Sequence, residues 1–297
     1  MTGVAASTST TERMSGAIEA LRPRQWTKNL VLFGGLLFAA KIGDAGRWLE
    51  AVTAFAVFSA VSGAAYLVND VRDAPSDRLH PVKRLRPVAR GDLSPEAALT
   101  LAIALAAAAL VGAFAALGVR TGALLACFGV LQLLYTLRLK RTPFLDVGVI
   151  AGLFVIRAAA GAAAVHVRIS LWLLVCTALL ALFLGLAKRR GELVLVGQGS
   201  TPGRAALDGY SLPGLDSAVI ATATATVATY AAYAGSAQDP GEMMATVPFV
   251  LLGVSRYAHL VRSRNLGEQP EQVLLADAFV LSCVALWAVV AALMLAS

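Results

Sequence analysis

The sequence has few charged residues, few cysteines and few histidines. Only 14% of its 297 residues are Asp, Glu, Lys or Arg, and it contains three cysteines and three histidines. The cysteines lie in apolar segments without paired spacing and the histidines are far apart, which excludes a disulfide framework and a thiolate or histidine metal centre. The sequence also has no Walker-type glycine loop and no Gly-x-Ser-x-Gly motif, so the marks of a P-loop nucleotidase or a serine hydrolase are missing.

Apolar residues make up most of the chain. They account for 58% of the residues, and the mean hydropathy is +0.72. This composition excludes a soluble globular domain and predicts an all-α, multi-span integral membrane protein. Nine apolar segments approach the length that a bilayer requires, although the first and the eighth are short: 30–45, 49–68, 95–117, 121–137, 144–165, 169–187, 215–235, 244–260 and 272–296.

The basic residues are distributed unevenly between the two sides of this nine-span arrangement. With the N-terminus in the cytoplasm, twenty Lys and Arg residues fall on the inner side and four on the outer side, while Arg157 falls within the fifth segment. The asymmetry follows the positive-inside rule and supports a cytoplasmic N-terminus. Because the basic loops lack interleaved aromatic residues, the net charge of +7 does not indicate a nucleic-acid partner.

The N-terminal region differs from the rest of the chain. Residues 1–20 are rich in Ser, Thr, Ala and Gly and contain no apolar run of signal-peptide length. We expect a disordered cytoplasmic tail over 1–20 and one transmembrane domain over 21–297. Residues 21–29, LRPRQWTKN, combine proline, tryptophan and cations, which is typical of a segment at the membrane surface.

A dense group of charges follows the second apolar segment, at 69–90. Asp70, Asp73 and Asp77 have the spacing i, i+3, i+7, and Asn69 lies one turn before Asp73, so a continuous helix would place them on one face. Converging carboxylates repel one another unless a cation lies between them, and Mg²⁺ is usually held by one or two carboxylates plus substrate phosphates. The stretch therefore predicts a magnesium–phosphate site with Asp70, Asp73 and Asp77 as metal ligands.

The basic residues after the aspartates have two interpretations. They could bind phosphate charge that the metal leaves over, or they could form a solvated loop whose charge orients the protein. They are Arg78, Lys83, Arg84, Arg86 and Arg90. Pro75 lies inside the aspartate motif. Because proline removes a backbone donor and clashes with the carbonyl four residues back, the sequence leaves open whether the helix is continuous between Asp73 and Asp77.

The connection between the fourth and fifth segments carries further candidates. Lys140 and Asp146 flank Pro143, and Arg157 lies three turns deeper on nearly the same face as Asp146. A charge that deep faces either a cavity or a partner. We expect Asp146 and Arg157 to bind substrate, with a structural ion pair as the alternative for Arg157.

The connection after the sixth segment begins with Lys188-Arg189-Arg190 and continues to Glu192. This cluster either binds phosphate or only stops translocation. The three charged inner connections would converge on one cytoplasmic mouth. The outer loops are short and poor in reactive groups, so we expect no site there.

These motifs occur together in a known superfamily. The run Asn69-Asp70-x-x-Asp73-x-x-x-Asp77-Arg78, continuing through His80-Pro81-x-Lys83-Arg84-x-Arg86-Pro87 and Gly91, resembles the first aspartate-rich motif of the UbiA-type intramembrane prenyltransferases, typified by the 4-hydroxybenzoate polyprenyltransferases. Other motifs most resemble the branch that transfers phosphoribose to a polyprenyl phosphate: residues 22–29, Tyr135 with Leu139-Lys140, Asp146-Val147, Lys188-Arg189-x-x-Glu192-Leu193 and Arg256-Tyr257. The resemblance covers nearly all of the chain after residue 20.

The resemblance implies a fold, a reaction and roles for residues. It implies a nine-helix enzyme of the bacterial plasma membrane with its active site facing the cytoplasm. The implied reaction is Mg²⁺-dependent and moves 5-phosphoribose from phosphoribosyl pyrophosphate to polyprenyl phosphate, with loss of pyrophosphate. In actinobacteria its product is the precursor of the arabinose donor for cell-wall polysaccharides.

The same resemblance assigns ligands. It implies that Asp73 and Asp77, with Asp70 and Asn69, hold magnesium and the pyrophosphate. The residues implied to hold phosphates are Lys28, Arg84, Tyr135, Lys140, Lys188 and Arg189. Of all these, Asp73, Asp77, Lys28 and Lys140 are the expected catalytic residues.

Two alternative functions remain open at this point. The first keeps the fold and moves a prenyl group from its diphosphate to an aromatic acceptor, as in quinone or haem pathways; such enzymes need a second aspartate-rich motif, where this chain has Lys188-Arg189-Arg190. The second is a transporter, which would need access from both faces, whereas the outer loops offer no charged vestibule. The small residues of the seventh segment would suit contacts within one chain or between copies, so a homo-oligomer also stays open.

Overall fold

The computed structural model describes residues 16–38, 43–80, 82–199, 205–236, 243–268, 273 and 276–296. Regular structure within these ranges is helical throughout, without a strand, as expected for an all-α protein. Most of the predicted N-terminal tail, residues 1–15, lies outside the described part. Residues 16–20 are helical and Ala20 is buried, so packed structure begins before the predicted boundary at residue 21.

Seven long helices, α1 to α7, form the bundle that the structure describes. In chain order they are α1 (Ala45–Asp77), α2 (Pro95–Leu137), α3 (Leu145–Ala164), α4 (Leu171–Gly197), α5 (Leu212–Gly235), α6 (Val247–Arg264) and α7 (Ala278–Ala296). Short 3-10 helices at Pro23–Phe33, Lys83–Leu85, Leu139–Arg141, Ala205–Gly209 and Leu266–Glu268 and short α-helices at Gly34–Phe38 and Pro87–Arg90 occur between or before them.

Helix α1 continues through Pro75 to Asp77, so the helix is not broken within the aspartate motif. Proline deprives only one carbonyl of its partner, and the helix has only two residues left after it. The start of α1 is fixed by Asp44, whose side chain accepts hydrogen bonds from the backbone N–H groups of Gly46 and Arg47. The aspartates therefore lie on the last turns of one continuous helix.

Helix α2 consists of two halves that meet at Gly118. This glycine has φ 81° and ψ 175°, a conformation that residues with a side chain rarely adopt. A Cβ on Gly122 would overlap the ring of Phe114, so the chain folds back sharply here. Both ends of α2 reach the aspartate end of α1, since Ala98 and Ala74 belong to the same hydrophobic cluster and the Leu137 carbonyl accepts from Arg72. The two halves correspond to the third and fourth predicted spans.

The segment before α1 packs against α3 through glycines. A Cβ on Gly161 would overlap the backbone carbonyl of Leu32, and one on Gly35 would lie 2.7 Å from the backbone of Ala162. Small residues allow such close approach between membrane segments. A span was predicted over 30–45; in the described part of it, up to residue 38, the chain forms the end of a 3-10 helix, Pro23–Phe33, and a short α-helix, Gly34–Phe38.

The chain is an integral membrane protein of the helical class. Within the described ranges, four helices are long and apolar enough to cross a bilayer by length and composition: α1, the folded-back α2, α3 and α4. One packed cluster joins α1, α2 and α3 around Phe58 and Phe128, and a second joins α4 to α7 around Phe183 and Tyr257. The predicted number of nine spans stays a prediction.

The close approach between Gly161 and the Leu32 backbone leads to a prediction about stability. Gly161→Ala should destabilise the protein by about 1–3 kcal/mol, because the added methyl overlaps backbone that cannot swing aside as a side chain would. Thermal unfolding in detergent should show a lower midpoint. Gly148→Ala is the matched control, since Gly148 is also inside α3 but has no atom within 4 Å of the added Cβ. Equal midpoints for both variants would contradict the packing described here.

Candidate active site

The three aspartates of α1 do not share one environment. Asp70 and Asp77 are 1% and 4% exposed, whereas the side chain of Asp73 is 30% exposed. On an α-helix a spacing of seven residues brings two side chains within about 20° of each other, and a spacing of three leaves them about 60° apart. The predicted common face therefore holds for Asp70 and Asp77, and Asp73 lies at its edge.

Asp70 and Asp77 belong to a buried network with two arginines. Asp70 Oδ1 accepts from the guanidinium of Arg22 and lies 3.3 Å from Nη1 of Arg86, which also donates to Asp77 Oδ2 at 2.6 Å. Asp70 Oδ2 is buried and has no hydrogen-bond partner among the described residues. Asp70 was expected to be a metal ligand, but in this structure its charge is compensated by arginines and its side chain is shielded from solvent.

Asp73 faces a different partner, the ammonium group of Lys140. Lys140 Nζ lies 3.1 Å from Asp73 Oδ2 and 2.9 Å from Asn69 Oδ1. The side chains of Lys140 and Asp73 are 21% and 30% exposed, so this pair is open to solvent. The structure thus brings together three of the predicted site residues, from α1 and from the 3-10 helix Leu139–Arg141. We call Asn69, Asp73 and Lys140 the open cluster.

Arg72 fixes the connection that carries Lys140. Its Nη1 donates to the carbonyl oxygens of Thr136 and Leu137 at 2.6 and 2.7 Å. These carbonyls belong to the last turn of α2, which has no further intrahelical donors, so a cation there satisfies them and interacts favourably with the helix dipole. The sequence offered no signal that this arginine, unlike its neighbours, would cap a helix 64 residues away.

A second buried network joins α3, α4 and the loop before α5. The Asp146 side chain is fully buried; its Oδ1 accepts from the hydroxyl of Tyr210 at 2.7 Å and its Oδ2 lies 2.8 Å from Nε of Arg189. Arg189 is 1% exposed and also pairs with Glu192. Asp146 and Arg189 were expected to bind substrate, but each is enclosed and engaged by the other. Tyr210 was not among the predicted site residues.

Arg157 is buried in the middle of α3 without a carboxylate partner within the described residues. It donates from Nε to Asn29 Oδ1 at 2.6 Å and from Nη1 to the Leu153 carbonyl, and its guanidinium lies 4.4 and 5.3 Å from the ring centres of Phe128 and Phe154. Asn29 in turn donates to Ser59. The alternative of an ion pair with an acid is not what the structure shows, because a neutral amide and two aromatic faces take that place.

The remaining predicted residues have varied surroundings. Lys28 is half-buried and donates to Gln25 Oε1 at 2.5 Å, and Arg84 is exposed on the 3-10 helix Lys83–Leu85. Tyr135 packs against the cluster of α1, α2 and α3, and Lys188 is half-buried on α4. Arg190 is engaged by Asp216 at 2.7 Å and by the Val261 carbonyl. All three consecutive cations at 188–190 therefore interact with other groups of the protein.

The open cluster has a donor set that suits magnesium. Asn69 Oδ1 and Asp73 Oδ2 both contact the Lys140 ammonium, so they lie within about 6 Å of each other and already accommodate a cation. Magnesium prefers oxygen ligands and takes only one or two carboxylates when substrate phosphates complete its shell. No group of three or more His, Cys, Asp or Glu side chains within the described ranges could hold a metal alone. A site of this kind would be completed by the substrate.

The fold matches solved structures of helical membrane proteins. A UbiA homolog from Archaeoglobus fulgidus bound to GPP and Mg²⁺ superposes with a TM-score of 0.73 at 18% sequence identity, covering 95% of this chain and 100% of that one. At this identity the likeness shows the fold alone. A structure described as providing insights into digeranylgeranylglyceryl phosphate synthase in membranes gives a TM-score of 0.70 at 12% identity and covers 96% of this chain and 99% of that one.

The sequence matches curated proteins over most of its length. It is 34% identical over 271 residues to decaprenyl-phosphate phosphoribosyltransferase from Mycobacterium tuberculosis, covering 89% of both chains. It is also 34% identical over 271 residues to the protein of the same name from Corynebacterium glutamicum, covering 88% of this chain and 81% of that one. Residues 30–283 match the model of the UbiA prenyltransferase family. The chain therefore belongs to the UbiA prenyltransferase family.

Proposed function

We propose that this protein transfers 5-phosphoribose from phosphoribosyl pyrophosphate to a polyprenyl phosphate and releases pyrophosphate. Decaprenyl phosphate is the proposed acceptor. The observation that carries the proposal is the identity of 34% over 89% of both chains with a curated decaprenyl-phosphate phosphoribosyltransferase. The family match over residues 30–283 includes the open cluster and the elements that carry Asp146, Arg189 and Tyr210. The same step would supply arabinose-containing polymers of the bacterial cell wall.

The open cluster is the proposed position of the pyrophosphate. Asp73 and Asn69 would hold Mg²⁺ together with the pyrophosphate oxygens, and Lys140 would contact the phosphate that the metal leaves uncompensated. Lys28, Arg84, Tyr135 and Lys188 are the proposed further phosphate ligands. Asp70, Asp77, Asp146, Arg157 and Arg189 are proposed to act indirectly, by holding the elements that carry these ligands.

The reaction that follows from this arrangement needs no general base. The bond between C1 of the ribose and the pyrophosphate oxygen breaks with its electron pair leaving on pyrophosphate, while an oxygen of the lipid phosphate forms the new bond to C1. The acceptor is already an anion, so no proton has to be removed from it. Bound magnesium would stabilise the charge that develops on the leaving group, and Lys140, placed beside it, would do the same through its ammonium.

The proposed topology places this site at the cytoplasmic side of the plasma membrane. The ends of α1 and α2 that carry the open cluster are adjacent to the basic connections 69–90 and 138–141. Cations concentrate on the cytoplasmic side of membrane proteins. Phosphoribosyl pyrophosphate is water-soluble and would enter from this side, whereas the polyprenyl chain would stay in the bilayer.

The reaction makes a direct prediction for the purified protein in detergent. It should release pyrophosphate from phosphoribosyl pyrophosphate only when both a polyprenyl phosphate and Mg²⁺ are present, because the acceptor supplies the nucleophile and the metal offsets the leaving-group charge. Coupled pyrophosphate detection measures this, with omission of each component as the control. Transfer of a prenyl chain from its diphosphate to 4-hydroxybenzoate, without use of the sugar donor, would show that the aromatic prenyltransferase alternative is right. Turnover without two compartments would also exclude a mere transporter.

The two kinds of aspartate should respond differently to removal of charge. Asp73→Asn should lower turnover at least about tenfold by weakening the leaving-group clamp, with little change in the unfolding midpoint, because Asp73 is partly exposed. Asp70→Asn should cost about 3 kcal/mol of stability, because Arg22 and Arg86 lose their shared carboxylate. Turnover and thermal unfolding of both variants check this. Wild-type turnover of Asp73→Asn at ordinary magnesium would remove Asp73 from the proposed site.

A further inference from the structure

A strained turn lies between the 3-10 helix that carries Lys140 and the start of α3. Phe144 has φ 63° and ψ −40°, and the backbone N–H of Leu145 donates to the Pro143 carbonyl at 2.7 Å. This is a γ-turn with positive φ, which is rare and costs free energy, above all for a bulky residue. Such a conformation persists only where the surrounding structure holds it.

Tyr210 is the side chain that holds this turn. Its hydroxyl oxygen accepts from the Phe144 backbone N–H at 2.7 Å and its proton goes to Asp146 Oδ1 at 2.7 Å, so one group fixes the centre of the turn and the first turn of α3. The Tyr210 and Phe144 rings pack with centroids 4.8 Å apart. Next to it, Gly209 lies so close that a Cβ there would overlap the ring of Pro143.

The Tyr210 hydroxyl stays a donor throughout the neutral pH range. Burial, followed by its hydrogen bond to Asp146, raises the pKa of Tyr210 well above its ordinary value. Asp146 is itself oriented by the adjacent Arg189. At neutral pH the contact therefore joins the loop before α5 to the turn without depending on protonation of Tyr210.

Backbone hydrogen bonds continue from the turn to Lys140. The Asp146 N–H donates to the Thr142 carbonyl at 3.1 Å, and the Thr142 N–H donates to the Leu139 carbonyl at 3.2 Å. Lys140 lies inside the segment that these bonds close, and its ammonium reaches Asp73 and Asn69. A shift of the turn would therefore move Lys140 relative to α1.

We propose that Tyr210 is a positioning residue that holds the γ-turn at Phe144 and thereby keeps Lys140 aligned with Asp73 and Asn69. The role rests on the proposed function in so far as it concerns catalysis. A misplacement of about 1 Å in a residue that stabilises the leaving group lowers turnover by one or two orders of magnitude. The loop between α4 and α5 would thus act on the chemistry without touching the substrate.

Tyr210→Phe tests the proposal, because it removes the hydroxyl and keeps the ring against Phe144. Tyr230→Phe is the matched control: the Tyr230 hydroxyl contacts Thr246 Oγ1 and the Trp287 indole, each at 2.7 Å, on helices α5 to α7 away from the turn. Both variants lose one buried hydroxyl with two hydrogen bonds. We expect Tyr210→Phe to lower kcat/KM for phosphoribosyl pyrophosphate about tenfold, and Tyr230→Phe to change it less than about twofold at a comparable loss of Tm.

A double-mutant cycle with Lys140→Ala separates positioning from a general structural effect. If Tyr210 acts through Lys140, Tyr210→Phe should cost less than about twofold when Lys140 is already absent, since residues in one network are not additive. A further tenfold loss in that background would overturn the proposal.

Hydrogen–deuterium exchange gives a readout that does not depend on activity. Backbone amides of residues 138–148 should exchange faster in Tyr210→Phe than in wild type and stay unchanged in Tyr230→Phe. If the wild type releases no pyrophosphate, the proposed function fails, and the exchange comparison still decides whether Tyr210 holds this segment. Unchanged exchange over 138–148 in Tyr210→Phe would overturn the positioning role whatever the activity.

Discussion

A charge taken out of water inside this protein has to be balanced by the protein itself. Transfer of an isolated ion into a low-dielectric interior costs several kcal/mol even after relaxation, and the membrane around the bundle offers no alternative solvent. The described interior obeys this constraint throughout: Asp70 and Asp77 share Arg86, Asp146 faces Arg189, and Arg157 takes an amide and two aromatic rings. Each of these contacts joins separate parts of the chain. The helices can therefore pack only in an arrangement that also brings each buried charge to its compensating group.

This constraint divides the charged residues into two groups that the sequence does not distinguish. Asp70 and Asp73 belong to the same motif, yet one is enclosed by arginines and the other is open to solvent with Lys140. The sequence presents Lys188, Arg189 and Arg190 as one cluster of adjacent cations, but in the structure Arg189 pairs with Asp146 and Arg190 pairs with Asp216. Counting charges in a loop therefore overestimates the number that can meet a ligand.

More of the fold than of the candidate site could be predicted from the sequence. Apolar segments of bilayer length gave the helical class, and the break between 117 and 121 is where the structure has the fold-back at Gly118. The sequence could not decide whether Pro75 breaks the helix, because proline is tolerated near the end of a long helix. It also could not show that Gly35 allows a close backbone approach to Ala162. Partner choice could not be predicted: Arg22 and Asp70 are 48 residues apart and Arg157 and Asn29 are 128 apart, so only the folded chain shows that they meet.

The pair of Lys140 and Asp73 is well suited to a site that binds a highly charged substrate. Without substrate each ion has the other as partner, so neither is left unpaired at a half-buried position. Under the proposed function both exchange partners on binding: the carboxylate gains a cation that arrives with the pyrophosphate, and the ammonium gains a phosphate oxygen. The Asp73 carboxylate and the Lys140 ammonium each have an opposite charge beside them before substrate binds and after it has bound. Neither ion is left unpaired in either state. A pair such as Asp146 and Arg189 is not suited to this exchange, because both side chains are at most 1% exposed. It is suited to holding together the elements that carry the open pair.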